Sequence, residues 1–183
     1  MKLIPDWTKE KRECTDDEGL DPLLRPRPLF VIGNSNTGKS TLFRELSHGP
    51  VCETEAPQSR AHLQRGHLGG CGHHPGSKRK HWQHRRRISE DHPCTPIYDT
   101  PGTASLLPQN EEEAGARDAL LRLGPGVILL VADGKNVRRS LALTLHAAEL
   151  GLPMVMAVNM SDEASRRGIG VDTVKLASAL GID

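Results

Sequence analysis

Leu29-Phe30-Val31-Ile32 runs into Gly33-Asn34-Ser35-Asn36-Thr37-Gly38-Lys39-Ser40 and then into Thr41-Leu42-Phe43-Arg44-Glu45-Leu46. The four apolar residues read as a short buried strand, the next eight fit G-x-x-x-x-G-K-S, and the last six read as a helix. That order is the context a phosphate-binding loop requires. Its glycines let the backbone curl until the N–H groups of Gly33 to Thr41 and the helix N-terminus face an anion. Lys39 is placed to reach the β- and γ-phosphates of a nucleotide, and the Ser40 hydroxyl to ligate Mg2+.

Outward from this stretch the same alternation returns after residue 96. Asn110 can cap a helix whose first turn carries Glu111, Glu112 and Glu113, with Ala116, Leu120 and Leu123 along one face. Gly124-Pro125-Gly126 ends it. Val127 to Ala132 reads as a buried strand, and Ser140 to Leu150 as a helix burying Leu141, Leu145 and Ala148, with Gly151 as its cap. Met154 to Val158 is a further strand, and Asp172 can cap a last helix carrying Leu176 and Leu180 and closed by Gly181. Strands alternating with helices predict an α/β fold: a mostly parallel sheet with helices on both faces, of the P-loop nucleotide-hydrolase type.

At 183 residues one ordinary domain is expected. Apolar residues make up 36% and aromatics 3%, so the core has to come from aliphatic side chains in a few dense segments. No apolar run approaches the ~20 residues that span a bilayer, so no transmembrane segment is expected. Cys14, Cys52, Cys71 and Cys94 are scattered without a paired framework, and the first ten residues lack an apolar signal core. A cytoplasmic setting fits both observations.

Two further motifs extend the site. Asp99-Thr100-Pro101-Gly102 follows the extended stretch Thr95 to Tyr98, where a strand end would bring a carboxylate to a metal and the Gly102 N–H to a γ-phosphate. Alone, such a sequence is commonly just a turn. Asn159-Met160-Ser161-Asp162 closes the strand Met154 to Val158, at the strand end where ligands bind in open parallel sheets. A carboxylate at Asp162 can accept both N1–H and N2–H2 of guanine, a donor pair adenine lacks; its bland alternative is an N-cap for the next turn.

These residues together resemble the G domain of the ferrous iron transporter B family. The resemblance is carried by Gly-Asn-x-Asn-x-Gly-Lys and by Asp99-Thr100-Pro101-Gly102-Thr103-Ala104-Ser105-Leu106-Leu107-Pro108 with Ala116-Arg117-Asp118. Asn136 to Leu152, Val158-Asn159-Met160-Ser161-Asp162-Glu163-Ala164 and Arg167-Gly168-Ile169 complete it. It implies a GTP-binding regulatory domain with slow GTP hydrolysis. GTP or GDP would contact Gly33, Asn34, Ser35, Asn36, Thr37, Gly38, Lys39, Ser40, Thr41, Asp99, Gly102, Asn159, Met160 and Asp162. It also implies Mg2+ at Ser40 and Asp99, K+ at Asn36, and Lys39 with Gly102 acting on the phosphates. The implied partner is a membrane-embedded iron-transport domain or another subunit at the inner face of the cell membrane. A further strand and helix of the domain would lie beyond Asp183.

Three features depart from the family. Thr103 follows Gly102 where many GTPases carry a glutamine. No short Trp-Pro-Gly-Val-Thr-like first switch occurs between Gly49 and Pro96, and Thr54 is a poor stand-in for its Mg2+-binding threonine. The interval itself is atypical. Eight of the nine histidines lie between His48 and His92, and Arg60 to Arg87 holds eight Lys or Arg residues and no Asp or Glu. Such a stretch is expected to be without regular structure, as is the proline-rich leader 1–28. The domain is therefore expected at 29–183 with a His/Arg-rich insert at 49–96. Cys71, His73, His74, His81 and His84 suit transition metals, although their spacing matches no closed four-ligand pattern. They support an alternative reading, a nucleotide-dead module whose basic, His-rich loop takes up metal ions or polyanions. Lys78-Arg79-Lys80 and Arg85-Arg86-Arg87 flank Trp82, yet no RNA-binding signature accompanies them, so nucleic acid is not an expected partner.

Overall fold

In a computed structural model of the chain, residues 26–55, 62–68 and 95–182 are described. The elements run β1 (Leu29–Ile32), α1 (Lys39–Leu46), β2 (Ser47–Glu55), β3 (His62–Leu68), β4 (Thr95–Asp99), α2 (Glu111–Arg122) and β5 (Val127–Asp133). A 3-10 turn (Val137–Ser140) leads into α3 (Leu141–Glu149), followed by β6 (Met154–Asn159), α4 (Ser161–Arg166) and α5 (Thr173–Leu180). Six strands form one sheet in the order β2-β3-β4-β1-β5-β6. β4, β1, β5 and β6 are parallel, whereas β3 joins β4 and β2 joins β3 antiparallel.

Alternation along the central strands builds a core on each face of this sheet. Phe30 and Ile32 on β1 point to one side, joining Ile128, Leu130 and Ala132 of β5 beneath Ala119 and Leu120 of α2 and Leu143 and Ala147 of α3. Val31 points to the other side and meets Ile97, Val131 and Phe43 of α1. Each fully buried aliphatic or aromatic side chain of this kind contributes about 1.5–3 kcal/mol of transfer free energy. The Tyr98 ring stacks on Phe30 with centroids 5.6 Å apart, tying β4 to β1.

The predicted caps form. Asn110 Oδ1 accepts from the Glu113 N–H at 2.8 Å, and Asp172 Oδ1 accepts from the Lys175 N–H at 3.0 Å. Gly181, in the left-handed region, closes α5. The face of α3 differs from expectation. Leu143, Thr144 and Ala147 are its buried positions, while Leu145 and Ala148 are exposed. Leucines occur on both sides of this helix, so spacing alone does not say which side meets the sheet. Leu143 and Ala147 pack into the core, and Ser140 at the helix start is buried and bonded to the loop after β1.

The interval 49–96 also differs: β2 and β3 lie partly or wholly within it. β3 goes unrecognised in the sequence because its inward positions are Leu63 and Gly66, which follow no two-residue period. Its order comes from backbone pairing with β4, Gln64 opposite Asp99 through Leu68 opposite Thr95. Gly66 is needed there for close approach: a Cβ on it would lie 2.7 Å from Ser47 Oγ and 3.2 Å from the Phe43 ring. Cys52 on β2 is disulfide-bonded, contrary to the expectation of unpaired cysteines.

Candidate functional site

The turn from β1 to α1 is the loop Gly33 to Gly38. Asn36 and Gly38 both take left-handed backbones (φ 65° and 87°), and the reversal aims the start of α1 back across the strand ends. Gly38 has a second constraint, because a Cβ there would sit 2.3 Å from Asn159 Nδ2. Lys39 is buried, and its Nζ donates to the Asn34 carbonyl at 2.7 Å. The Thr37 hydroxyl donates to the same carbonyl at 3.0 Å. Two donors on one oxygen close the loop on itself.

The end of β4 brings the second motif alongside. The Thr100 N–H and hydroxyl both donate to the Val31 carbonyl, at 3.2 and 3.0 Å, and the Thr103 N–H donates to the Gly33 carbonyl at 3.0 Å. Gly102 then lies against the loop so closely that a Cβ would meet Ser35 Oγ at 2.4 Å, its Cα at 2.9 Å and its N at 3.0 Å. Asp99 is buried beneath. Burial pushes its pKa up, opposed by a hydrogen bond from Ser40 and by the charges of Lys39 and Arg44. Burial likewise lowers the Lys39 pKa, with Asp99 opposing. Asp99 Oδ1 has no protein hydrogen-bond partner. A desolvated carboxylate oxygen beside a serine hydroxyl is an oxygen donor set that suits a hard divalent cation.

The third motif arrives from β6. Asn159 Nδ2 donates to the Thr37 carbonyl at 2.9 Å, joining the Asn159 loop directly to the Gly-rich loop. Met160 is left-handed (φ 58°) and starts α4, so Asp162 stands in the first turn of that helix and is not its N-cap. The Asp162 carboxylate is solvent-exposed, 3.6 Å from Arg166. Gly134 and Lys135, after β5, complete the wall: the Gly134 N–H donates to the Asn159 carbonyl at 2.8 Å.

The motif residues of the sequence are thus brought together around one loop, with distinctions among them. Ser35, Asn36, Ser40 and Thr41 are exposed. Asn34 is 1% exposed, and its side chain turns inward to accept from Ser140 Oγ at 3.2 Å. It can serve a ligand through its backbone N–H. Thr103 is also buried, its hydroxyl donating to the Ser105 carbonyl, so it does not present a group that could orient water. Thr54 pairs with Leu63 on the edge strand β2, two strands out from Asp99, roughly 10 Å across the sheet.

Sequence reasoning missed Ser140, Lys135 and His146. Ser140 tethers Asn34, and His146 Nδ1 accepts from the Leu106 N–H at 3.4 Å, holding the loop after Gly102 to α3. None belongs to a short motif, so only their placement reveals them. A small polar cavity of about 100 Å³ lies between Asn34 and Thr37 on one side and Asp133, Asn136 and Arg139 on the other. Cys71, His73, His74, His81 and His84, the basic clusters around Trp82 and residues 1–25 lie outside the described residues. Among the described residues, no cluster of three His, Cys, Asp or Glu side chains could hold a metal ion, and no helix is long and apolar enough to cross a membrane.

Comparison with known proteins gives a consistent result. The family described as "Ferrous iron transport protein B" matches residues 72–183, more than half of the chain. The chain is 33% identical over 154 residues to the Fe(2+) transporter FeoB of Helicobacter pylori (strain J99), covering 84% of this chain and 21% of that protein. It is 35% identical over 155 residues to an Fe(2+) transport protein A/Fe(2+) transporter FeoB fusion protein of Porphyromonas gingivalis, covering 84% and 16%. The chain therefore spans about a fifth of the length of the curated relatives it matches. Among solved structures, the cytosolic domain of L. pneumophila FeoB matches with a TM-score of 0.66 and 31% identity over 85% of this chain and 59% of that one. A GDP-bound mutant of S. thermophilus NFeoB matches with a TM-score of 0.67 and 28% identity, over 85% and 53%.

Proposed function

The chain belongs to the ferrous iron transport protein B family, and from that premise we propose that it binds guanine nucleotide and hydrolyses GTP slowly, as a regulatory domain of a ferrous iron transporter. The observation that carries this reading is the convergence of Gly102 on Ser35 and of Asn159 on Thr37. It surrounds a single Gly-rich loop with the two motifs that a guanine nucleotide needs. Phosphates would lie against the N–H groups of Gly33 to Thr41, with the Lys39 ammonium leaving the Asn34 carbonyl to meet them. Asp162, exposed at the rim, would accept the two guanine donors beside Asn159 and Met160.

Ser40 and Asp99 fit Mg2+, which would neutralise phosphate charge. Asn36, exposed on the loop, would lend its amide oxygen to K+, a second source of positive charge. The chain's own contribution is positional: Lys39 and the Gly102 N–H stabilise charge on the transferred phosphoryl group, and the buried Thr103 leaves water to be oriented by backbone. With no threonine near Asp99 from β2, turnover is slow and its stimulation by K+ small. The domain would act in the cytoplasm, beside a membrane-embedded iron-transport domain.

Titration with fluorescent GDP tests the reading. Unlabelled GTP should displace the probe and ATP should not, and Lys39→Ala should abolish binding while leaving helix content unchanged. Equal displacement by ATP, or wild-type affinity in the Lys39 variant, would remove the assignment. GTP turnover in KCl against NaCl then measures the predicted small stimulation.

A further inference from the structure

Lys135 stands outside every motif described above, yet its side chain is only 18% exposed and ends among groups of the Asn159–Asp162 loop. Its Nζ donates to Glu163 Oε2 at 2.7 Å and to Met160 Sδ at 3.2 Å, and Asp133 Oδ2 lies 3.8 Å away. Its own N–H donates to Asp133 Oδ1 at 2.9 Å, which fixes where the side chain sets out from β5. One ammonium therefore contacts both neighbours of the segment that carries Asp162.

That segment needs holding. Met160 is a non-glycine residue in the left-handed region, a conformation with an intrinsic cost. Asp162 and Glu163 are adjacent carboxylates in the first turn of a six-residue helix, with Asp133 nearby on the next strand. Uncompensated, their mutual repulsion would push α4 away from β5 and swing Asp162 with it. A charge-assisted hydrogen bond at 2.7 Å from a mostly buried lysine opposes that movement where the strained turn begins.

We propose that Lys135, through Glu163 and Met160, is a positioning residue that sets guanine selectivity by holding Asp162 where it can accept both donors of the base edge. The proposal rests on the guanine-nucleotide reading above. It assigns Lys135 no contact with the nucleotide. It acts through the turn, so its loss should be felt most by the outermost donor of the base, the 2-amino group.

Inosine diphosphate keeps N1–H and lacks the 2-amino group, so the ratio of GDP to IDP affinity reads the second hydrogen bond to Asp162. Fluorescent-GDP displacement by GDP, IDP and ADP should be measured for the chain, Lys135→Met, Glu163→Gln and the double variant. The native chain should prefer GDP to IDP about tenfold, roughly the worth of one hydrogen bond to an ionised group. Lys135→Met and Glu163→Gln should each cut that preference about threefold, and the double variant should cut it no further than the larger single effect. Lys135→Arg should restore most of it. Equal losses of GDP and IDP affinity, or additive effects of the two substitutions, would overturn the positioning role while leaving guanine binding intact. Displacement of the probe by ADP as readily as by GDP in the native chain would instead bring down the nucleotide reading beneath it.

Discussion

The Ser140 hydroxyl donates to Asn34 Oδ1 at 3.2 Å, joining positions 106 residues apart, and both side chains are 1% exposed. This bond is the direct tie between the start of α3 and the Gly-rich loop. Asn34 Nδ2 has no protein partner, so Ser140 provides the side-chain amide with its one bond. Ser140→Ala leaves a buried acceptor unsatisfied and should lower stability by about 1–3 kcal/mol. Urea unfolding with an unchanged slope and a lower midpoint is the expected result, and an unaltered midpoint would show that the bond contributes nothing.

Gly102 is fixed by proximity. A methyl group there would overlap Ser35 Oγ and press on Ser35 Cα and N, which are backbone and cannot turn aside. Overpacking of this kind costs about 1–3 kcal/mol, relieved by parting the loop after β4 from the Gly-rich loop. Gly102→Ala should therefore weaken nucleotide binding by about tenfold. Adding Ser35→Gly removes only the hydroxyl clash, so it should rescue in part. Full rescue would mean that the backbone contacts are unimportant.

Asp99 carries a raised pKa because burial outweighs the help of Ser40, Lys39 and Arg44. Between its ordinary value of 3.8 and its raised value, the folded chain binds more protons than the unfolded one. Stability from this group is thus greatest at low pH and declines as pH rises through that window. Asp99→Asn should accordingly raise the unfolding midpoint of the nucleotide-free chain at pH 7.5, and the gain should fade as pH falls through that window and be gone below the ordinary value of 3.8. The same substitution should weaken Mg2+-dependent nucleotide binding. Thermal melts across pH with and without GDP–Mg2+ check both halves, and destabilisation at pH 7.5 would contradict the burial argument.

Asp162 is exposed and touches little besides Arg166, so changing it should leave folding unaltered. Asp162→Asn replaces an acceptor for two donors by a group that accepts and donates, which loses hydrogen bonds worth about 1.5–3 kcal/mol each. GTP-over-ATP preference should drop by at least about tenfold. Unchanged selectivity in the displacement titration would remove Asp162 from the base site.

Much of this was legible along the chain. The Gly33–Ser40 pattern, the apolar strands 127–132 and 154–158, and the caps at Asn110 and Asp172 are local: each rests on residues within about one turn or strand of one another. Local sequence therefore sufficed for the P-loop α/β fold. What it lacked was any signal for contacts made by backbone or by isolated side chains. β3 is ordered by pairing with β4 and by the absence of a side chain at Gly66. Leucines on both sides of α3 left its buried face undecided in the sequence; in the fold Leu143 and Ala147 pack into the core, and Ser140 at the helix start bonds Asn34. Lys135 reaches Met160 and Glu163, 25 and 28 residues away, because β5 and β6 pair in parallel and end together. Burial then turned Lys39 and Asp99, two charges in a motif, into a desolvated pair with opposed pKa shifts, an outcome that depends on the solvent removed from around them and not on their order in the chain.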